Sequence, residues 1–591
     1  MNVQLLQLPL HPGTGWEPTG NVPLAPARLA AAAGLPHESV FPQRLADTLG
    51  DMGLLEELSA RNPGIIGVTL YLWNRERTLH ILREYKRLHP GVMVVAGGPE
   101  VTPDNRDLLT EGCIDLFVSG EGEERAAMVL DHLSLSSLLA AGARYLPAFP
   151  DESSPERWPD PYETGHLVPE PGGSAHVETQ RGCGCSCIYC AYRRTAPVPR
   201  ISPAAAALKR MKTAVESGAS ELVFLDPTFN ARADLLPLLD GMKSLNVSCF
   251  GEIRGDLVTE PHPEAFRRAG FGSMEVGLQT MDARVLRAVG RGGDPARTVA
   301  GAAKLREAGV TPIVDLILGL PGDDPKNVAM GAMELRNSGV GEQVQTFCLS
   351  VLPGTSLRAS APSLGIQYLD SPPYIVTRSG ENTIAGLLEE RERISDILGY
   401  DADPPCRPIL CDDYPGMERF DPLAPSPSAP PSVRHGVLRI VSRDPWEHRN
   451  AIMERLAIRR KTDPFCPLDL ILETSTEFPL DLLDQIASIP APDCYDTVKA
   501  GIYAVQPLLR TAVIAEEGVD AQWLLECSRL SVTVLSTPGP RPLPGGGTGI
   551  LIAGSWDLSE LEGLYSAAPE LVFFRNGQLE RLWNLEVLGL G

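Results

Sequence analysis

Short apolar runs, rich in branched residues and each broken by a glycine turn, recur along the first 150 residues. Residues 65–74, Ile-Ile-Gly-Val-Thr-Leu-Tyr-Leu-Trp-Asn, lead into a helix-like stretch through Tyr85. Residues 91–100 form a second run that stops at Gly97-Gly98-Pro99. Residues 114–123 form a third, which stops at Gly120-Glu121-Gly122-Glu123 and passes into a helix over 123–133. Strand, glycine turn and helix in repetition predict a Rossmann-like parallel sheet over 1–150 with helices on both faces. Ligands of such sheets sit at the carboxyl ends of the strands, where glycine lets the backbone approach closely.

The alternation resumes after residues 151–175, a stretch rich in proline and polar residues that reads as a linker. Apolar runs at 175–180, 221–226, 248–252, 273–277, 311–318 and 345–351, with helices between them, predict about six β/α units. That is a partial (β/α)6 barrel over 176–385 rather than a closed eight. A helical segment and a proline-rich linker are expected over 386–434. Strand-like runs at 436–441, 468–473 and 548–553, with helical stretches such as 557–567, predict a small C-terminal α/β domain over 435–591. It contains no recognisable catalytic constellation, and its dispersed Cys466, Cys494 and Cys527 read as buried structural thiols.

The chain has 591 residues, enough for three or four domains, with 43% hydrophobic residues and no apolar run of membrane-spanning length. A soluble protein is expected. Its start lacks a basic region before the first apolar run, so a cytoplasmic location, where thiols stay reduced, is expected as well. A net charge of -23 argues against nucleic acid as a partner, although Arg193-Arg194 is a local basic pair.

Four of the twelve cysteines, Cys183, Cys185, Cys187 and Cys190, fall within one short loop. Thiolates are soft ligands, and this density points to a metal or a cluster. A closed four-cysteine zinc site is one reading, but zinc ligands more often come as two separated C-x2-C pairs. Cys183, Cys187 and Cys190 stand at C-x3-C-x2-C with the aromatic Tyr189 before the last. That pattern resembles the radical S-adenosylmethionine (SAM) enzymes. The resemblance implies that these three cysteines hold a [4Fe-4S] cluster whose fourth iron is left for SAM. Cys185 departs from the family pattern.

Asn21 to Ala25, Tyr71-Leu-Trp73-Asn74, Gly97-Gly98-Pro99 and Gly120-Glu121-Gly122-Glu123 resemble the cobalamin-binding domain that precedes the catalytic domain in one radical SAM subfamily. The resemblance implies a cobalamin contacted by these turns, with residues from Thr69 to Trp73 facing it. No D-x-H-x-x-G sequence supplies a histidine to cobalt, and no G-x-G-x-x-G follows a strand, so a nicotinamide cofactor is disfavoured. Trp73 can equally be read as a packed interface aromatic.

Polar residues at the carboxyl ends of barrel strands are candidates for the site: Asp226, Asn230, Glu252, Arg254, Glu275, Gln279, Asp315 and the 319–322 turn. Their order also resembles the radical SAM barrel, over roughly residues 1–380, and implies that Arg254, Glu275 and Gln279 grip SAM. For each of them a structural ion pair is the alternative. The resemblance extends to radical SAM C-methyltransferases, tryptophan methylases among them. It implies an enzyme that cleaves SAM with one electron from a ferredoxin- or flavodoxin-type donor and moves a methyl group by way of cobalamin to a carbon of a small natural-product precursor. Ring rearrangement or cyclisation without methyl transfer, polar methylation of an aromatic amino acid such as tryptophan, and a non-catalytic cobalamin sensor are the alternatives.

Overall fold

The computed structural model describes residues 2–9, 20–148, 155–192, 198–400, 408–423, 431–490, 492, 508–516, 519–537, 548–552, 558–559, 561 and 572–587. They form two compact units. The first comprises residues 2–9, Gly20–Ala46 and the described residues from Leu58 to Tyr400, and the second Asp47–Glu57 and the described residues from 408 on. Arg193-Arg194, Cys494 and most of the helix expected over 557–567 lie outside the described residues.

The first unit begins with a parallel sheet of Val3–Leu6, Ile65–Thr69, Met93–Gly97, Leu116–Val118 and Tyr145–Leu146, paired in that order. Val40 adds a single parallel bridge to Leu5 on the far side of the first strand. The chain therefore steps outward from Val3–Leu6 to Val40 and then back across to Ile65–Thr69. Right-handed crossovers taken in opposite directions put the Leu24–Ala33 and Arg75–Leu88 helices on opposite faces, as the alternating pattern predicts. The carboxyl ends of Val3–Leu6 and Ile65–Thr69 flank the point where the winding reverses, which is where sheets of this kind take ligands.

Six parallel strands follow: Ser174–Val177, Glu221–Phe224, a third interrupted at Gly251 into Ser248–Phe250 and Glu252–Ile253, then Ser273–Gln279, Thr311–Leu318 and Val344–Cys348. Their order is sequential and the sheet does not close. Asp294 and Asp324 cap the following helices through backbone N–H groups, each with proline at the first helical position, and so fix where Pro295–Glu307 and Pro325–Asn337 start. Along these strands fully buried residues alternate with partly accessible ones. The buried face carries Leu222, Val276 and Val314 against the helices, and the other face lines a lumen. A closed β/α barrel fills its interior with side chains. Here the lumen-facing row stays accessible.

A buried polar knot ties the first sheet to the far end of the barrel. The fully buried Tyr374 hydroxyl accepts from Arg75 Nη1 at 2.7 Å and from Asn105 Nδ2 at 3.4 Å, and donates to Glu100.

The second unit is a seven-stranded parallel sheet, Met417–Phe420, Gly436–Val441, Leu468–Thr474, Leu509–Glu516, Val532–Thr537, Thr548–Ile552 and Val572–Phe574, in sequence order. Its first strand lies inside the stretch expected to be linker. Prolines stand on both sides of it, but residues 416–420 contain none, and Met417–Phe420 finds its parallel partner in Gly436–Val441. One face packs on the Arg449–Thr462, Asp481–Ala487 and Ala521–Cys527 helices, and the other is covered by Ile409, Leu410, Cys411 and Tyr414. Asp469, fully buried, accepts from Arg510 at 2.6 and 2.9 Å, lies 2.9 Å from His435, and is held down to about 2 because these partners override burial. Among the described residues no helix is long and apolar enough to cross a membrane.

Replacing Tyr374 by Phe leaves Arg75, Asn105 and Glu100 one partner short in a dry site, a loss of about 1–3 kcal/mol. Denaturant unfolding of Tyr374→Phe against the parent is expected to show that loss; an unchanged midpoint would mean the knot is dispensable.

Candidate functional site

The cysteine loop is pinned from several sides. Gln180–Arg181 pairs antiparallel with Arg200–Ile201. Asp226, just past the Glu221–Phe224 strand, accepts from the Thr179 and Gln180 N–H groups at 2.7 and 2.8 Å and from the Thr179 hydroxyl. Burial still pushes its carboxyl up to about 6 against those bonds. Farther along, Ile188 N donates to Val289 O at 2.9 Å and Ser186 Oγ to Gly290 O at 3.0 Å. Gly290 has φ +74°, and a Cβ there would fall 2.2 Å from Ser186 O, so only glycine lets the loop seat this closely.

Cys183 and Cys187 are buried, and Cys185 and Cys190 half-buried. Cys183 and Cys185 share a proton, which raises Cys183 and lowers Cys185; Arg254, 3.1 Å from the Cys185 sulfur, adds to the lowering. A tetrahedral zinc site holds its sulfurs about 3.8 Å apart, given a Zn–S bond of about 2.3 Å. Among the described residues the loop cysteines supply no three sulfurs within 4.8 Å of one another. The loop as it stands is therefore not gathered into a closed tetrahedral site. The one trio that does lie within 4.8 Å is in the second unit: Asp51, Asp463 and Cys466. Arg459 and Arg460 already supply positive charge to it.

A cavity of about 460 Å³ opens at the carboxyl ends of the first sheet. Thr69, Tyr71, Trp73, Gly97, Gly98, Pro99, Gly120, Glu121, Gly122 and Glu123 all line it, together with Gln7 and Arg28. Its deep end is apolar, with Leu5, Val95, Val118, Ala126 and Leu130 around Gly67, where a Cβ would strike Leu5 at 2.6 Å. Gly98, at φ +104°, passes so close to Leu70 that a Cβ would lie 2.6 Å from its carbonyl oxygen. Tyr71 and Trp73 stack at 4.4 Å with 10° between planes. Asn74 is not among the residues that line it: its fully buried amide donates to Leu8 O and Thr69 O and accepts from Tyr71 N, closing the turn that carries the stack. The same cavity reaches the barrel at His176, Glu178, Gln180, Arg181 and Tyr192. Burial lowers His176 to about 4, so its imidazole is neutral.

Arg181, unnoticed in the sequence although it stands two residues before Cys183, is the junction of this region. Its guanidinium meets Glu121 at 2.9 Å, Glu123 at 2.8 Å and Glu178 at 2.8 Å. Arg200 also pairs with Glu121, and Arg28 with Glu178 at 3.2 Å. Burial would raise Glu178, but Arg181 and Arg28 hold it down to about 2. The carboxylates of Glu121 and Glu123 are thus committed to arginines, while the glycines beside them face the cavity.

On the lumen face Glu252 and Glu275 are register partners, and Asp315 lies beside Gly277. Burial and then Glu275 push Glu252 up to about 7; burial, Glu275 and Glu252 push Asp315 well above the carboxylate range, with Arg291 opposing. Gln279 sits at a bulge with φ +72°, a strained position for a residue with a side chain, and its Oε1 is buried without a partner. Arg254 is spent otherwise: it donates to both Asp256 oxygens at 2.9 and 2.7 Å as well as to Cys185. Asn230 is tied to the Arg254 backbone at 2.8 and 3.0 Å. Tyr189 is half-buried against the core.

Because folding raises Glu252 from its ordinary 4.5 to about 7, its contribution to stability is complete below pH 4.5 and is lost as pH rises through 7. Melting between pH 5 and 8 is expected to show a smaller decline in Glu252→Gln than in the parent. Parallel declines would show that the Glu252–Glu275 pair carries no such strain.

Residues 177–330 match the model of the radical SAM superfamily, and residues 46–130 that of the B12 binding domain. The 2-(S-pantetheinyl)-carbapenam-3-carboxylate methyltransferase of Streptantibioticus cattleyicolor is 30% identical over 161 residues, covering 23% of this chain and 23% of that protein. The cobalamin-dependent radical SAM methyltransferase TokK of Streptomyces tokunonensis is 28% identical over 190 residues, 28% of this chain and 26% of that protein. The chain thus spans about a quarter of the length of these curated relatives. The structure of the radical SAM methyltransferase TsrM from Kitasatospora setae, with tryptophan and aza-SAM bound, aligns at a TM-score of 0.48 with 18% identity, over 64% of this chain and 81% of that one. A radical SAM domain implies a [4Fe-4S] cluster and SAM, and a B12-binding domain implies cobalamin; the three thiols at C-x3-C-x2-C and the glycine-lined cavity have the donor chemistry and the close backbone approach for them. The chain thus carries a B12-binding domain over residues 46–130 followed by a radical SAM domain over residues 177–330.

Proposed function

We propose that the protein is a methyltransferase that moves a methyl group from SAM, by way of cobalamin, to a carbon of a small natural-product precursor. The observation that carries this reading is the single cavity bounded on one side by the glycine turns of the first sheet and on the other by the strand leading into the cysteine loop. Both relatives are methyltransferases by name, which supports methyl transfer over rearrangement.

In this reading Cys183, Cys187 and Cys190 hold the cluster, the turns at Gly97–Pro99 and 120–123 hold the corrin, and Glu275 and Gln279 face SAM in the lumen. When bound, the cluster supplies the electron that cleaves SAM and cobalamin carries the methyl group. The chain's own part is placement. Asp226 fixes the backbone entering the cysteine loop, the Tyr71–Trp73 stack offers a flat apolar face without a metal-ligating group, and Arg181 keeps the corrin turns and the loop at a constant separation. Residues 1–150, apart from Asp47–Glu57, serve cobalamin, 176–385 form the catalytic barrel, and the second unit, with Met417–Phe420 as its first strand, forms a further domain. An external ferredoxin- or flavodoxin-type donor reduces the cluster, in the cytoplasm.

The test supplies the reconstituted protein with reductant, methyl-labelled SAM and a small-molecule extract of the source cells. The expected product carries the label in a carbon-bound methyl group. An altered product without label would contradict methylation and leave rearrangement or cyclisation.

A further inference from the structure

The fourth cysteine of the loop has no part in the ligand set just assigned, and its surroundings are unusually well defined. Arg254 Nη1 lies 3.1 Å from the Cys185 sulfur. The same guanidinium is locked in place by Asp256, at 2.9 and 2.7 Å, and its Nη1 also donates to Arg291 O at 3.3 Å. The Arg254 backbone is held in turn by the Asn230 amide. Arg254 is therefore a fixed post, standing on the barrel strand ends and reaching both the cysteine loop and the 289–293 turn.

That turn is the surface on which the loop sits. Gly290 admits Ser186 at a separation no side chain allows, and a Cβ at Gly293 would fall 2.5 Å from Arg254 Nη2. Loop, turn and guanidinium are thus packed to contact at two glycines. The Cys185 N–H also points to the Cys183 sulfur at 3.4 Å, so the position of residue 185 bears directly on a ligand sulfur.

We propose that Cys185 is a positioning residue of the cluster loop and not a cluster ligand: its sulfur accepts a hydrogen bond from Arg254, which seats the loop on the 289–293 turn and aims the Cys183 sulfur. A hydrogen bond from a charged donor is about twice as strong as a neutral one, and Arg254 is too well anchored to follow a displaced loop. This inference rests on the reading of Cys183, Cys187 and Cys190 as ligands.

The test uses the full chain, reconstituted anaerobically with iron and sulfide, in the parent and in Cys185→Ala, Cys185→Ser, Arg254→Gln, the Cys185→Ala/Arg254→Gln double variant and Cys187→Ala. Iron and sulfide per chain, the electron paramagnetic resonance signal of the reduced cluster with and without SAM, and reductive SAM cleavage are the readouts. Cys185→Ala is expected to keep the parent's iron content while the SAM-induced change in its signal weakens and cleavage slows on the order of tenfold. Cys185→Ser, whose hydroxyl still accepts from Arg254, is expected to recover most of that loss. Arg254→Gln is expected to match Cys185→Ala, and the double variant to be no worse than either. Loss of iron in Cys185→Ala equal to that in Cys187→Ala would make Cys185 a ligand and overturn the proposal. So would additive losses in the double variant, or a Cys185→Ala protein indistinguishable from the parent. A parent that takes up no iron would instead overturn the ligand reading itself.

Discussion

Everything in the candidate site hangs on one buried guanidinium. Arg181, two residues before the first cysteine of the loop, gathers Glu121 from the turn after Leu116–Val118, Glu123 from the start of the helix that follows, and Glu178 from just past the barrel's first strand. With Arg28 and Arg200 the network holds three acids and three bases, so it is neutral as a whole. Neutrality matters because burying an unpaired charge costs several kcal/mol, whereas a matched set with good geometry does not. The arrangement gives little net stability for its size. What it supplies is a fixed separation between the turns that line the cavity and the loop that carries the cysteines.

The rest of the site shows the opposite balance. Glu252, Glu275 and Asp315 stand close together with Arg291 opposing, and burial first, then their mutual repulsion, drives Glu252 and Asp315 upward. Gln279 Oε1 and Asp315 Oδ1 beside them are buried acceptors without a partner. In the proposed function SAM, with its ammonium, sulfonium and ribose hydroxyls, brings the complementary donors and charge. The Arg181 region is built to be complete by itself, and the lumen to be completed by what enters it.

Much of this was legible in the sequence, and the division has a physical reason. Glycine turns after apolar runs announce close backbone approach, and all the turns expected to border a cofactor do line the cavity. Thiol spacing announces a metal centre for the same kind of local reason. Partner choice is not local. Asn74 looked like a cofactor contact but bonds to Leu8, 66 positions away, and Arg254 looked free for SAM but is held by Cys185, 69 positions away. Asp226 likewise serves the backbone of Thr179 and Gln180. The sequence supplies such residues with their chemistry and leaves their partners to the fold. Met417–Phe420 was hidden by the prolines on both sides of it, and Asp47–Glu57 joins the second unit although it falls within the first strand–helix series.

The central claim, a cluster and a corrin on one chain, is tested most directly by anaerobic purification with iron, cobalt and zinc quantified beside the visible spectrum. The account predicts iron bound as a [4Fe-4S] cluster together with cobalt as cobalamin. Zinc without iron or cobalt would contradict it.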